Sequence, residues 1–134
     1  MRIANRTNQT PQERPLGTGA LRTFFRIAEV WGLSAEEQKT LLGIPSSSTY
    51  YKWKKDPPDR ISPDLLERLS YLLGIYKALE ILLPHDTPKQ GWLQRPNAHP
   101  LFGGRPPIKR MLTGLVCDLY LVRRYLDAER GGWS

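Results

Sequence analysis

Residues 34–55 read SAEEQKTLLGIPSSSTYYKWKK, and the punctuation of this stretch decides the fold. Ser34 to Glu37 spells S-x-x-E, in which a Ser side chain accepts from the N3 amide while the Glu reaches back to the cap residue. A helix therefore begins at Ala35. It stops near Gly43, a residue that tolerates the left-handed conformation helices often need just past their last turn. Ile44-Pro45 then forms a tight link, and any of Ser46, Ser47 or Ser48 can cap a further helix running to about Lys55. Two short helices joined by a Gly-containing turn make a helix-turn-helix candidate. With Ser46 as the cap, Tyr50 and Trp53 share one face at i and i+3 and pack inward, leaving Ser48, Tyr51, Lys52 and Lys55 outward.

Upstream, Leu21, Phe24, Phe25, Ile27, Ala28 and Trp31 recur at helical spacing, which predicts a first helix over Ala20 to Trp31 that ends at Gly32. Before it, MRIANRTNQTPQERPLGTG carries three Arg and one Glu, with Pro11, Pro15, Gly17 and Gly19 set against regular structure. Residues 1–17 are expected to be a flexible basic arm. Arg2 and Arg6 could touch DNA phosphates, although an unstructured terminus explains them as well.

Downstream, Asp56-Pro57-Pro58-Asp59 breaks the chain and sets a domain boundary near residue 60. Ser62 or Asp64 then caps a helix that admits Pro63 in its first turn and reaches Leu83. Leu65, Leu69, Leu72, Tyr76, Leu79 and Leu83 follow a 4-3-4-3-4 spacing. Leu66, Leu73, Ile75, Ile81 and Leu82 widen that arc, so this helix, roughly 30 Å long, is expected to pack on two sides. Thr87-Pro88 begins a short helical segment through Trp92 and Leu93, and Arg95-Pro96-Asn97 ends it. AHPLFGGRPP reads as a structured loop. Pro107 opens a last helix with Ile108, Leu112, Leu115, Leu119, Val122 and Leu126 on one stripe, and Gly114 inside it suggests a close helix crossing. No region reads as a strand. The fold class is all-α, with the front helices leaning on residues 63–83 and that helix packing on the last one in one continuous core.

Composition narrows the chemistry. A chain of 134 residues has room for one ordinary domain or two very small ones. Twenty Lys and Arg against thirteen Asp and Glu give a net charge of +7. One Cys excludes an intramolecular disulfide and points to a reducing compartment, the cytoplasm. Residues 1–15 hold only Met1, Ile3 and Ala4 as apolar residues, so no targeting segment is expected, and Glu67, Arg68, Lys77 and Glu80 interrupt the one stretch apolar enough to suggest a membrane span. His85 and His99 stand in loops with no metal-ligand spacing, Gly103-Gly104 follows no strand, and Cys117 reads as a buried inert thiol. No metal, cofactor or catalytic constellation is expected.

Two binding surfaces are expected instead. Residues 46–55 hold three Lys and no acid, the groups that hold phosphates, although a solvated amphipathic helix is an equal reading. The usual base readers Arg, Asn and Gln are absent there, which predicts modest sequence specificity. Trp92, Phe102 and Trp133 suggest a protein interface. Packing beneath the loop is the competing and stronger reading for Trp92 and Phe102, whereas Trp133, beside two glycines, reads as a plug for another surface.

Four segments, LLGIPSSSTYYKW, LERLSYLLGIYKAL, WLQRPNAHPLFGGRPPIKRMLTG and LVRRYLDAERGGW, give residues 18–134 a resemblance to the Xre/MbcA/ParS antitoxins. The resemblance implies an Xre-like helix-turn-helix DNA-binding domain over 18–60 and a toxin-binding domain over 61–134. The implied partners are a RES-domain toxin that consumes or transfers from NAD, and operator DNA. Ser47, Ser48, Thr49, Tyr51 and Lys52 would face DNA, with Lys54 and Lys55 beside them on the same basic helix. Trp92, Asn97, Phe102 and Gly104 match the toxin-binding loop, the Asn and Gly in structural roles, and Arg130, Gly132 and Trp133 match the element that approaches the toxin's active-site cleft. Lys39 departs from the pattern, standing where a small residue is usual. A homodimer within a toxin–antitoxin assembly is expected, with no interface located by sequence. The rival reading is a free-standing transcriptional regulator that senses a ligand between its two long helices.

Overall fold

The computed structural model describes residues 13–88 and 90–131. Within them the chain forms α1 (Glu13–Trp31), α2 (Ala35–Leu42), α3 (Ser47–Lys55), α4 (Pro63–Leu82), α5 (Gln90–Gln94), α6 (Pro107–Met111) and α7 (Val116–Gly131), and no strand.

The helix ends follow their caps. Ser34 Oγ accepts from the Glu37 amide at 3.1 Å while Glu37 Oε1 accepts from the Ser34 amide at 2.9 Å, closing the reciprocal box. Gly43 ends α2 at φ +72, and the Ile44 amide reaches back to the Lys39 carbonyl at 2.9 Å. Of the three serines that follow, Ser46 caps α3 by accepting from the Thr49 amide. Ser62 caps α4, with Pro63 as its first residue.

The long helix α4 organises the core. Leu65, Leu69, Leu72, Ile75 and Leu79 are buried, against Leu21, Phe24, Ile27 and Trp31 of α1 and Leu41 and Leu42 of α2 on one side. Ile108 and Met111 of α6 and Leu119, Val122 and Leu126 of α7 continue the same core. Each such side chain removed from water contributes roughly 1.5–3 kcal/mol. The apolar arc of α4 is wide because it serves both flanks.

Three expectations are corrected. The first helix starts at Glu13, seven residues before Ala20, despite Pro15, Gly17 and Gly19. Pro15 sits in the first turn, where its missing N–H has no intrahelical partner to lose. Gly17 is buried, with a Cβ there only 3.2 Å from Ile61, and Thr18 Oγ1 donates to the Pro58 carbonyl at 3.0 Å. Tertiary contact with the 58–61 connection thus overrides weak local propensity.

The stripe predicted from Ile108 to Leu126 is not one helix. It is broken between α6 and α7, and Gly114 forms the break at φ +92, a conformation L side chains rarely adopt. Thr113 Oγ1 accepts from the Leu115 amide and donates to Asp118 Oδ2 at 2.6 Å, while Arg110 Nε donates to Asp118 Oδ1 at 2.8 Å. The break turns Leu115 out to solvent, and the buried stripe resumes at Leu119. A glycine that a close contact between helices does require is Gly74 of α4, where a Cβ would collide with the Arg123 side chain of α7. Arg123 donates there to the Ser70 carbonyl at 3.0 Å.

The third correction is Cys117, which is exposed rather than buried, because the helical period of α7 points position 117 away from the face that carries Leu119 and Val122.

The two kinds of glycine respond oppositely to a methyl group. Gly43→Ala places Cβ 2.9 Å from Arg68 Nε at a positive φ and is expected to lower the unfolding free energy by about 1–2 kcal/mol. Gly19→Ala, helical with nothing within 4 Å of its Cβ, is expected to raise it by roughly 0.5–1 kcal/mol. Urea titrations check both, and a Gly19→Ala variant that gains nothing contradicts a helix through residue 19.

Candidate functional site

Two surfaces carry the chemistry, one on α3 and one on the loop that joins α5 to α6. The first is held in place by a buried polar relay. Gln38 Nε2 donates to the Leu33 carbonyl at 3.0 Å, and its Oε1 accepts from the Tyr50 hydroxyl at 2.7 Å. The Tyr50 ring also meets Phe25 of α1 edge-on, with centroids 5.9 Å apart. Tyr50 therefore clamps α3 to α1 and α2, and Trp53 packs half-buried beside it. A satisfied relay of this kind fixes one orientation of α3, since breaking it leaves a buried amide unpaired.

The opposite face of α3 is open. Ser48, Tyr51, Lys52, Lys54 and Lys55 are exposed, and Thr49 is half-buried. Tyr51 stands 58% exposed with its ring against Tyr50. Lys54 lies over the Tyr50 ring at 5.9 Å, a cation–π contact that leaves its charge at the surface. Ser47 accepts from Lys39 Nζ at 2.8 Å, and Lys39 also pairs with Glu36 at 3.2 Å. The unusual Lys39 is thus accommodated by lying along α2 and bracing the first turn of α3. Three cations with no acid on the helix itself make this face an anion-binding surface in character.

The second surface is aromatic. The Phe102 ring meets Trp92 at 5.8 Å and Tyr125 at 5.4 Å, both nearly perpendicular. His99 closes on Tyr125 at 4.6 Å, and Trp92 lies nearly parallel to Tyr125 at 6.5 Å. Burial pushes the Tyr125 phenol above its ordinary value, and the Glu129 carboxylate adds to the shift, so the phenol is uncharged at neutral pH. The loop is closed by Asn97. Its Oδ1 accepts from the His99 amide at 2.9 Å, its carbonyl accepts from the Gly104 amide at 2.9 Å, and its amide donates to the Arg105 carbonyl at 3.2 Å.

These contacts assign distinct positions to the sequence-derived residues. Phe102 is only 4% exposed and supports the loop from beneath, while Trp92 is half-buried with part of its ring at the surface. Asn97 holds the loop shape. Arg130 is exposed at the end of α7 and pairs with Asp127 at 3.7 Å. Gly132 and Trp133 lie outside the described residues, as do Arg2 and Arg6 of the arm. The structure brings Trp92 and Phe102 together with two residues that sequence reasoning did not select for binding, His99 and Tyr125. Tyr125 follows Val122 by three positions on the helical period, which is the signal that could have placed it beside the core.

Sequence reading also missed Arg68, which it took only as an interruption of an apolar stretch. It is buried on α4, with Nε on Asp64 at 2.9 Å and its terminal nitrogens donating to the carbonyls of Leu41 at 3.5 Å and Gly114 at 3.1 Å. An Arg three residues after a core Leu, on the buried face of a helix, is the signal that marks it. Among the described residues no cluster of three His, Cys, Asp or Glu could hold a metal ion, and no helix is long and apolar enough to cross a membrane.

With this geometry in hand, comparison with known proteins is specific. Residues 16–74 match the family described as the antitoxin Xre-like helix-turn-helix domain, and residues 78–132 match the antitoxin Xre/MbcA/ParS C-terminal toxin-binding domain. The chain is also 48% identical over 112 residues to y4oB, an uncharacterized protein of Sinorhizobium fredii, a match that covers 84% of each chain.

Proposed function

Because the chain belongs to the Xre-type antitoxins, we propose that it binds and sterically neutralises a RES-domain toxin that consumes NAD, and that it represses its own operon by binding operator DNA. The observation that carries this reading is the match of residues 78–132 to a toxin-binding domain. The division of labour follows the expected domains: DNA binding over 18–60 and toxin binding over 61–134. The protein acts without catalysis, in the cytoplasm, as a homodimer within a toxin–antitoxin assembly.

In this reading the α5–α6 loop, with Trp92 at its surface and Phe102 and Asn97 shaping it, rests on the toxin. Arg130, Gly132 and Trp133 are assigned to the toxin's nucleotide cleft, where a guanidinium suits phosphate or carboxylate groups. The full chain is expected to restore NAD levels in cells that express the RES-domain protein of its operon. A chain ending at Glu129 is expected to keep binding yet fail to restore NAD. If the truncated chain protects fully, the plug is wrong.

The DNA role is supported by the exposed cations of α3, with Ser47, Ser48, Thr49 and Tyr51 beside them as hydrogen-bonding groups. A Lys52→Ala, Lys54→Ala, Lys55→Ala variant is expected to weaken binding to the upstream duplex and to reduce the slope of log affinity against log salt by about 0.9 for each phosphate that is no longer neutralised. An unchanged affinity and slope contradict this face.

The reading as a ligand-sensing regulator has one observation in its favour. A pocket of about 290 Å³ lies among α1, α4 and α7, with an apolar wall from Leu66, Leu69 and Leu73 and with Lys77 and Arg123 beside it. It falls just below the range of about 300–1,000 Å³ usual for ligand sites. The toxin-binding match favours the antitoxin reading.

A further inference from the structure

Beside the aromatic cluster, Phe102 also lines a second pocket, of about 160 Å³, formed by Leu101, Phe102, Arg105, Lys109, Arg110 and Thr113. Its charges do not balance. Arg110 is already neutralised, with Nε on Asp118 at 2.8 Å and a terminal nitrogen donating to the Leu101 carbonyl at 3.3 Å. The other oxygen of Asp118 is taken by Thr113. Arg105 and Lys109 are exposed and form no ion pair among the described residues, and no carboxylate lines the pocket. Two cations thus border a small cavity that Leu101 and Phe102 also line, with a second guanidinium, that of Arg110, fixed in its wall.

We infer that this pocket receives an acidic side chain of the partner toxin, an inference that rests on the toxin-binding reading above. The size fits, since a cavity of about 150 Å³ holds a molecule as large as benzene. The chemistry fits as well: Leu101 and Phe102 take the methylene stem of an Asp or Glu, while Arg105 and Lys109 meet its carboxylate, Arg with a planar fork suited to two oxygens. A DNA phosphate is the competing anion. It is disfavoured because the pocket lies within the matched toxin-binding segment, opens beside the Asn97–Arg105 loop, and draws no residue from the helix-turn-helix. A charge pair enclosed at an interface discriminates between partners, because a toxin with a neutral or basic residue at that point leaves both cations uncompensated. Arg105 and Lys109 are therefore specificity-determining residues.

The test measures, by calorimetry at two salt concentrations, the affinity of the full chain for the RES-domain protein of its operon and for the upstream duplex. Arg105→Glu with Lys109→Glu is compared with the milder Arg105→Gln with Lys109→Gln. The charge reversal is expected to weaken toxin binding by at least about thirtyfold, the neutral pair by less, with duplex binding and thermal unfolding unchanged. If the wild-type chain binds the toxin and both variants bind within twofold of it, the pocket assignment is overturned and the toxin-binding reading stands. If both variants lose duplex affinity and keep toxin affinity, the occupant is a phosphate and the assignment is again overturned. A wild-type chain that does not bind the toxin at all overturns the underlying reading and this inference with it.

Discussion

The structure turns on one buried guanidinium. Taking a cation out of water costs several kcal/mol unless its hydrogen-bonding groups are met. Arg68 meets them from three directions: Asp64 one turn earlier on α4, the Leu41 carbonyl in the last turn of α2, and the Gly114 carbonyl between α6 and α7. The carbonyl at the end of α2 belongs to a set that no helix can satisfy internally, and it carries the negative end of the helix dipole. The partners of Arg68 are all present only when the front helices and the back helices are both docked on α4. Gly43 completes the joint, since its missing side chain leaves room for the Arg68 guanidinium.

This junction gives α4 its unusual composition. A helix with one buried face needs a stripe; this one serves α1 and α2 on one side and α7 on the other, so its apolar residues go most of the way round. A second cation repeats the device farther along. Arg123 of α7 lies across Gly74 and donates to the Ser70 carbonyl, which ties α7 to α4. The basic face of α3 and the aromatic loop around Asn97 are therefore carried at fixed positions on one scaffold. A protein proposed to act by covering a partner depends on that rigidity more than on any reactive group.

Much of this was legible from residue spacing. The capping box at Ser34, the turn at Gly43, the start of α4 at Ser62 and Pro63, and the split of Tyr50 inward from Tyr51 outward all follow from local rules, because each is settled within four or five residues. What failed depended on distant parts of the chain. Contact between Gly17 and Ile61 extends α1 through residues whose own preferences argue against a helix. The 4-3-4-3-4 spacing runs unbroken across Thr113-Gly114-Leu115, so periodicity alone could not reveal that Thr113, Asp118 and Arg110 fold the chain into a turn there. Of the residues chosen for partner binding, Phe102 lies almost wholly buried beneath the loop, in the packing that the rival reading expected. The cations Arg105 and Lys109 went unselected, because a gathering of charges around a cavity is not visible along a linear chain.

Native-state hydrogen exchange in urea tests most directly whether α4 and Arg68 join the two halves into one unit. Amides of Phe24 in α1, Leu72 in α4 and Val122 in α7 are expected to share one opening free energy and one urea dependence. Protection at Val122 that is lost several kcal/mol earlier and with a smaller urea slope, while Phe24 and Leu72 stay closed, would show two separately folding halves and contradict the account.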